Sequence, residues 1–127
     1  FKPVNDTHGH DIGDRVLEEV ATRLTASFRP RDLVCRYGGE EFVVLMPETQ
    51  PQDAFAIADR LRRQIAFTPF DLGPDRPRLS LTVSIGAATS QRGADSPEAI
   101  LKRADEALYT AKSHGRNRVM SDPVAAA

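Results

Sequence analysis

The fold is decided by one stretch of the sequence, residues 33–46, which reads LVCRYGGEEFVVLM. Two apolar runs rich in β-branched residues flank a Gly-Gly pair, and this pattern predicts a β-hairpin. Gly38 and Gly39 let a ligand approach the backbone closely, because neither carries a side chain. The adjacent carboxylates of Glu40 and Glu41 suit Mg²⁺. Together these residues point to metal-assisted phosphoryl chemistry, and a hairpin with a solvated acidic tip is the alternative.

A loop and a helix precede the hairpin. Proline and glycine residues punctuate residues 1–13, which predicts a loop. The apolar residues between 14 and 28 recur at helical spacing, with Asp14 as a candidate N-cap and Pro30 as the stop. The histidines and aspartates of the loop match no closed zinc pattern, so a polar loop is favoured over a transition-metal site.

A helix and a strand follow the hairpin. The buried stripe of residues 51–67 has helical spacing, and charged residues fall mostly on the opposite face. Apolar and polar residues alternate along residues 79–87, which predicts a half-buried strand of the antiparallel kind. Gly86 within this strand indicates a bulge or close packing against a neighbouring element.

The last third of the chain predicts a helix and a short strand. Ser96 and Pro97 supply an N-cap and a first-turn proline, and Gly115 ends the helix. Residues 117–121 are predicted to form a closing strand, and residues 122–127 a disordered tail. The mixed order of elements predicts an α+β fold with helices packed on an antiparallel-rich central sheet.

The composition limits the class of protein. The chain has 127 residues, enough for one domain with an apolar core. Its net charge of −1 gives no electrostatic case for binding nucleic acid or an anionic membrane. Cys35 is the single cysteine, which excludes an internal disulfide and fits a reducing compartment. We see no apolar run of membrane-spanning length and no signal peptide, and therefore expect a cytoplasmic protein.

Two clusters of charged residues can be interpreted either as functional sites or as charges with an ordinary structural explanation. Lys112 lies in the last turn of the third predicted helix and Arg116 just beyond it. Both cations complement the helix dipole there, and both are also candidate phosphate ligands. Arg29 and Asp32 lie in the connector before the hairpin, where solvated surface charge is the simpler explanation.

A series of motifs in register resembles the GGDEF family of diguanylate cyclases. Residues 36–42 match the family signature in its Glu-Glu variant. The remaining matches are Phe1-Lys2, Asn5-Asp6, Gly9-His10, Gly13-Asp14, Val16-Leu17, Ser84-Ile85-Gly86, Ala104-Asp105, Ala107-Leu108-Tyr109, Ala111-Lys112 and Gly115-Arg116-Asn117. The resemblance covers residues 1–121 as one GGDEF domain, and it is strongest to members attached to response regulators.

The resemblance implies a palm-like nucleotidyl cyclase fold and a bacterial second-messenger enzyme. Such an enzyme condenses two GTP into cyclic di-GMP and two pyrophosphates, with Mg²⁺ or Mn²⁺ as cofactor. Each subunit holds one GTP, so a homodimer is needed for catalysis. An upstream sensor or receiver domain in the parent protein is implied as well.

The resemblance also assigns the catalytic and substrate-binding residues. Glu40 matches the metal ligand, and Glu40 or Glu41 helps to deprotonate the attacking 3′-hydroxyl. The substrate positions comprise Asn5 and Asp14 for guanine, His10 beside them, Gly38 and Gly39 at the turn, and Lys2, Lys112 and Arg116 at the triphosphate. Lys2 is also grouped with the catalytic residues.

Product inhibition is implied by a separate RxxD site. Arg29 and Asp32 match that motif, and Arg60 matches its second contact position. A catalytically inactive cyclic di-GMP receptor built on these three residues is the first alternative function. The intact turn of residues 38–41 favours the enzyme over the receptor, because receptor versions often lose that turn.

The resemblance further implies a strand ending in Asp-x-Asp ahead of Phe1, together with an N-terminal helix. That strand would supply a metal carboxylate and run through the middle of the sheet. We therefore expect residues 1–127 alone to make no cyclic di-GMP, and to be poorly soluble or paired with another copy through open strand edges. An inert fragment is accordingly the second alternative for this chain.

Overall fold

The computed structural model describes residues 10–74, 78–90 and 96–122, with side chains from Gly13 onward. Within these residues the elements follow in the order α1 (His10–Ser27), β1 (Leu33–Gly38), β2 (Glu41–Leu45), α2 (Pro51–Phe67), β3 (Ile85–Ala87), α3 (Pro97–Ser113) and β4 (Val119–Ser121). This mixture of helices and strands confirms the predicted α+β class. Lys2, Asn5, the side chain of His10 and tail residues 123–127 lie outside the described part of the chain.

The chain divides into two compact units. The first consists of Phe1–Pro47 and Thr68–Leu81, and it contains α1, β1 and β2. The second consists of Glu48–Phe67 and Thr82–Ala127, and it contains α2, β3, α3 and β4. None of the helices within residues 10–74, 78–90 and 96–122 is both long enough and apolar enough to span a membrane.

Helix α1 buries one face, formed by Val16, Val20 and Leu24. It begins at His10, so the predicted start at Asp14 was wrong, and Asp14 lies in the second turn rather than at the N-cap. The reason is that Gly13 weakens a helix by only about 1 kcal/mol and does not stop it. Gly13 is buried and precedes Val16 by one turn, so it extends the same buried face.

Two arginines of α1 hold the irregular segment around Phe70. Arg15 donates from Nη1 to the carbonyl oxygen of Leu72 at 2.9 Å. Arg23 donates to the carbonyl oxygen of Thr68 at 2.7 Å, and its guanidinium lies 3.8 Å above the Phe70 ring. These contacts satisfy backbone carbonyls that have no partner in a regular ladder.

The hairpin is present as predicted. β1 and β2 pair antiparallel, from Leu33 opposite Leu45 to Arg36 opposite Phe42, and the register becomes irregular at the turn. Leu33 and Leu45 occupy the same face of the hairpin, where they are 54% and 55% exposed.

The two helices of the second unit agree with their predictions. α2 buries Ala58, Leu61 and Ile65, and its bounds are those expected. α3 begins after Ser96, whose hydroxyl accepts from the backbone N–H of Ala99 at 3.2 Å. The predicted cap therefore forms, and it satisfies one of the free N–H groups of the first turn.

Strand β3 differs from its prediction in length and in pairing. Only Ile85–Ala87 forms a strand within the predicted range, and it pairs parallel with β4. Leu79 instead makes an isolated antiparallel bridge to Phe70. Alternating polarity indicates that one face of a strand is covered. It does not indicate whether the neighbouring strand runs parallel or antiparallel. Because α3 connects β3 to β4, the crossover makes these strands parallel.

Gly86 packs closely against α3, as its place in a strand predicted. A Cβ atom at this position would overlap the backbone of Ala104 and Leu108. The strand can therefore approach the helix only where the side chain is absent.

The packed structure extends to Asp122, the first residue of the predicted tail. Asp122 is 4% exposed, and its Oδ2 accepts from Arg103 Nε at 2.5 Å. Arg103 Nη2 also donates to the carbonyl oxygen of Thr89 at 2.9 Å. The backbone N–H of Asp122 donates to the carbonyl oxygen of Ala87 at 2.8 Å. This ion pair fixes the end of β4 beside α3.

Candidate functional site

The hairpin turn presents two glycines with open space in front of them. Gly39 has φ 30°, in the left-handed region that glycine enters without a Cβ penalty. A Cβ added at Gly38 or Gly39 would meet nothing within 4 Å. The turn is therefore open to the approach of a ligand to its backbone.

Arg36 holds this turn from within the hairpin. Its Nε donates to the carbonyl oxygen of Gly39 at 2.9 Å, and its Nη2 donates to the same oxygen. From the sequence we predicted no separate role for Arg36. The signal for it was an arginine three residues ahead of a glycine in a tight turn, because a long side chain on β1 can reach back to the turn carbonyl.

Glu40 and Glu41 are exposed beside the glycines, and Glu41 begins β2. Their carboxylate oxygens are the hard ligands that Mg²⁺ prefers. In the part of the chain that the structure describes, no three His, Cys, Asp or Glu side chains are grouped so that they could hold a metal ion. Because Mg²⁺ typically combines one or two carboxylates with waters and substrate phosphates, the turn fits it as a partial ligand set.

Of the residues expected to recognise guanine, Asp14 is the one whose side chain the structure describes. It is exposed on α1. The expected partners Asn5 and His10, and Lys2 at the triphosphate, stay predictions, because their side chains lie outside the described residues.

The C-terminal end of α3 carries the two expected phosphate ligands of the second unit, with Lys112 in the last helical turn and Arg116 in the turn that follows. Lys112 and Arg116 are both exposed, and the N–H of Arg116 closes the helix by donating to the carbonyl oxygen of Ala111 at 2.9 Å. Arg116 and Asn117 have φ 63° and 46°. For residues with a Cβ, this left-handed conformation costs about 1–2 kcal/mol each. Two such residues in succession form a turn that other contacts must hold.

Arg29 and Asp32 form a preassembled pair in the first unit. Arg29 Nε and Nη2 donate to the two carboxylate oxygens of Asp32 at 3.0 and 2.9 Å, and the N–H of Arg29 donates at 2.9 Å. The hydrogen bond from the Arg29 side chain lowers the pKa of Asp32 below its usual value, although burial opposes this. The Asp32 side chain has no exposed surface, while Arg29 is 33% exposed.

Within each unit, the structure shows which of the predicted residues lie together. The four residues 38–41 share one turn, and Arg29 contacts Asp32 directly. Lys112 and Arg116 flank the end of α3 in the second unit, where Arg60 is exposed on α2.

Comparison with known proteins gives a family match and close relatives. The family model described as "Diguanylate cyclase, GGDEF domain" matches residues 1–118. The response regulator PleD of Caulobacter vibrioides is 53% identical over 120 residues, which cover 94% of this chain and 26% of PleD. This chain therefore spans about a quarter of the length of that relative.

Solved structures of similar domains superimpose closely. The GGDEF domain of DgcB from Caulobacter crescentus, in complex with c-di-GMP, is 33% identical with a TM-score of 0.90. The match covers 96% of this chain and 71% of that one. The active GGEEF domain of a diguanylate cyclase from Vibrio cholerae is 33% identical with a TM-score of 0.83, covering 95% of this chain and 75% of that one.

Proposed function

The chain belongs to the GGDEF family, and we propose that its natural protein is a diguanylate cyclase. Such an enzyme condenses two GTP into cyclic di-GMP and releases two pyrophosphates. The observation that carries the proposal is the intact turn of residues 38–41, which is open in front of its glycines and held by Arg36. Two adjacent carboxylates complete the turn, and their oxygens suit a divalent cation that assists phosphoryl transfer.

The residues of the turn have distinct roles in this proposal. Glu40 is the metal ligand, and Glu40 or Glu41 accepts the proton of the attacking 3′-hydroxyl. A bound Mg²⁺ or Mn²⁺ supplies charge neutralisation at the phosphates and polarises the nucleophile. The backbone of Gly38 and Gly39 gives the phosphates room to approach the N–H groups.

The remaining substrate contacts follow the resemblance to the family. Lys112 and Arg116 supply positive charge to the triphosphate. Lys2 has the same role, while Asn5, Asp14 and His10 form the guanine site. A guanine edge offers two donors and one acceptor, which a carboxylate and a carboxamide match together.

The reaction joins two nucleotides, so two copies of the domain must face each other with one GTP each. We therefore propose a homodimer as the active form, controlled by a sensor or receiver domain of the parent protein. Cyclic di-GMP inhibits the enzyme that makes it by binding at Arg29, Asp32 and Arg60. The free thiol of Cys35 is exposed, which fits a reducing cytoplasm.

The direct test is to incubate the natural full-length protein with GTP and Mg²⁺ and to separate the products by chromatography. We expect cyclic di-GMP and pyrophosphate in a ratio of one to two. Absence of both products, with the protein folded, would refute the enzymatic proposal.

A cyclic di-GMP receptor is the second candidate, and the preassembled Arg29–Asp32 pair supports it. Arg29 is partly exposed and can contact phosphate or stack on guanine, while the buried Asp32 carboxylate holds its guanidinium in place. Calorimetry with cyclic di-GMP measures this binding without reference to turnover. Tight binding by a protein that makes no product would favour the receptor.

We predict that Arg29→Ala relieves product inhibition. Loss of a charge-assisted hydrogen bond is worth about 1.5–3 kcal/mol, so the inhibition constant of cyclic di-GMP should rise by roughly 10- to 100-fold. The initial rate, measured before product accumulates, should stay near that of the parent. Arg31→Ala, in the same connector, is the matched control. Equal inhibition of the Arg29 and Arg31 variants by cyclic di-GMP would show that the cluster is ordinary surface charge.

We predict that Asp14→Asn weakens the preference for GTP over ATP. The substitution puts a donor where the guanine donors need an acceptor, at a cost of about 1–3 kcal/mol for an unsatisfied group. Because Asp14 is exposed and lies inside α1, no helix cap is lost and the melting temperature should barely change. Competition between GTP and ATP measures the effect, with Glu18→Gln one turn further along α1 as control. Unchanged discrimination would remove Asp14 from the guanine site.

A further inference from the structure

The turn that carries Arg116 is held by a side chain from a distant part of the second unit. Arg62, on α2, donates from Nη1 to Oδ1 of Asn117 at 3.0 Å and to the Asn117 carbonyl oxygen at 3.4 Å. Asn117 directly follows Arg116, and both have positive φ. The contact therefore reaches the strained part of the turn rather than the helix before it.

The Arg62 side chain is also held within α2 by an ion pair. Its Nε donates to Oδ1 of Asp59 at 2.8 Å, one turn earlier on α2, and its side chain is only 18% exposed. A guanidinium presents its donors in a rigid planar fork, so holding one edge on Asp59 aims the other edge at Asn117. A lysine ammonium carries its three donors on one nitrogen and lacks this planar fork.

The neighbouring Arg63 lies on the same helix and, among the described residues, makes no polar contact with the turn. It pairs with the same Asp59, through Nε to Oδ2 at 3.3 Å, and its side chain is 57% exposed. Within the described residues its polar contacts are confined to Asp59. Arg62 and Arg63 therefore share one anion, and Arg62 alone of the two contacts the turn.

A second contact holds the carbonyl group of Arg116. Arg118 Nε donates to the Arg116 carbonyl oxygen at 3.1 Å, and its guanidinium lies close to where a Cβ on Gly115 would be. Two contacts thus hold the backbone on the C-terminal side of Arg116, one from Arg118 to the Arg116 carbonyl oxygen and one from Arg62 to Asn117. The Arg116 side chain remains exposed.

We propose that Arg62 is a positioning residue for nucleotide binding, which holds the 116–117 turn so that Arg116 points to the triphosphate of the substrate. The inference rests on the proposed function, since it takes Arg116 as a phosphate ligand. Arg62 does not touch the nucleotide, and it acts through Asn117. Loss of Arg62 lets the turn relax from its left-handed conformation and disperses the orientation of Arg116.

The test compares Arg62→Ala with Arg63→Ala in the natural full-length protein. Because an Arg116 contact is lost from substrate binding, we expect the KM for GTP to rise about tenfold in Arg62→Ala, with kcat within about twofold of the parent. Competitive inhibition by inorganic pyrophosphate should weaken by the same factor, whereas the GTP-over-ATP preference should not change. Arg63→Ala should match the parent in all of these.

A second variant tests the link from its other end. Asn117→Gly keeps the positive φ accessible and removes the side-chain acceptor, so it should raise the KM like Arg62→Ala. The double variant should be no worse than either single one, because both break the same connection. This exposed turn position also keeps the test decisive if Arg62→Ala does not fold.

Two results would overturn the inference. One is a lowered melting temperature of Arg62→Ala with an unchanged KM, which is the behaviour of a purely structural tie. The other is an unchanged KM in Asn117→Gly. If the parent binds GTP but makes no cyclic di-GMP, the proposed function fails, and the dissociation constants of the Arg62 and Arg63 variants for GTP still decide this point.

Discussion

Replacing Glu41 by glutamine is expected to lower the kcat of cyclic di-GMP synthesis by roughly 10²- to 10⁴-fold, the usual contribution of a positioned general base. Substrate binding should change much less. Replacing Glu40 by glutamine is expected to act mainly on Mg²⁺-dependent GTP binding, because a neutral amide is a far weaker ligand for a hard cation. Rates measured across a matrix of GTP and Mg²⁺ concentrations separate the two effects.

The matched control for both variants is Glu106→Gln. Glu106 is an exposed glutamate of α3, and the substitution removes the same charge from a surface position. We expect it to keep parental kinetics. Near-parental rates in both Glu40→Gln and Glu41→Gln would exclude the hairpin turn as the metal and proton-transfer site.

Substituting Gly86 by alanine is expected to destabilise the protein by about 3 kcal/mol or more, at the upper end of what overpacking usually costs. The added methyl group would overlap backbone atoms of Ala104 and Leu108 in α3. A helix backbone cannot move aside as a flexible side chain does, so strand β3 and α3 must separate. Urea denaturation measured by circular dichroism gives the change in unfolding free energy.

Gly38→Ala serves as the stability control for that experiment. A Cβ at Gly38 would meet no atom within 4 Å, and its φ does not lie in the left-handed region. Its unfolding free energy should stay within about 0.5 kcal/mol of the parent, as for a surface substitution. Equal stability of the Gly86 and Gly38 variants would show that β3 does not pack on α3 as the structure describes.

Much of the fold was predictable because its signals are local. The hairpin follows from two apolar runs around a glycine pair, and the start of α3 follows from Ser96 and Pro97. Gly86 was informative for the same reason, since a strand rarely carries glycine without close packing. Parallel pairing of β3 with β4 was missed, because alternating polarity identifies a covered face and not the neighbouring strand. The signal for it was the predicted helix between the two strands.

In the candidate site, too, contacts between neighbours in the sequence were predictable and contacts between distant residues were not. The turn of residues 38–41 is contiguous in sequence, so its members had to lie together. Arg29 and Asp32 are three residues apart and form their ion pair across one turn. The contact of Arg62 with Asn117 joins positions 55 residues apart, and no periodicity in either segment reports it.

Asp122 also limits how far the chain can be shortened from its C-terminal end. The family match stops at residue 118 and β4 ends at Ser121, so either limit suggests that the next residue is dispensable. The carboxylate of Asp122 nevertheless accepts from Arg103, whose side chain is only 19% exposed. A chain cut after Ser121 would keep the whole strand and lose the anion that balances a largely desolvated guanidinium. Within the described residues, an electrostatic contact one residue beyond β4 is therefore part of the fold.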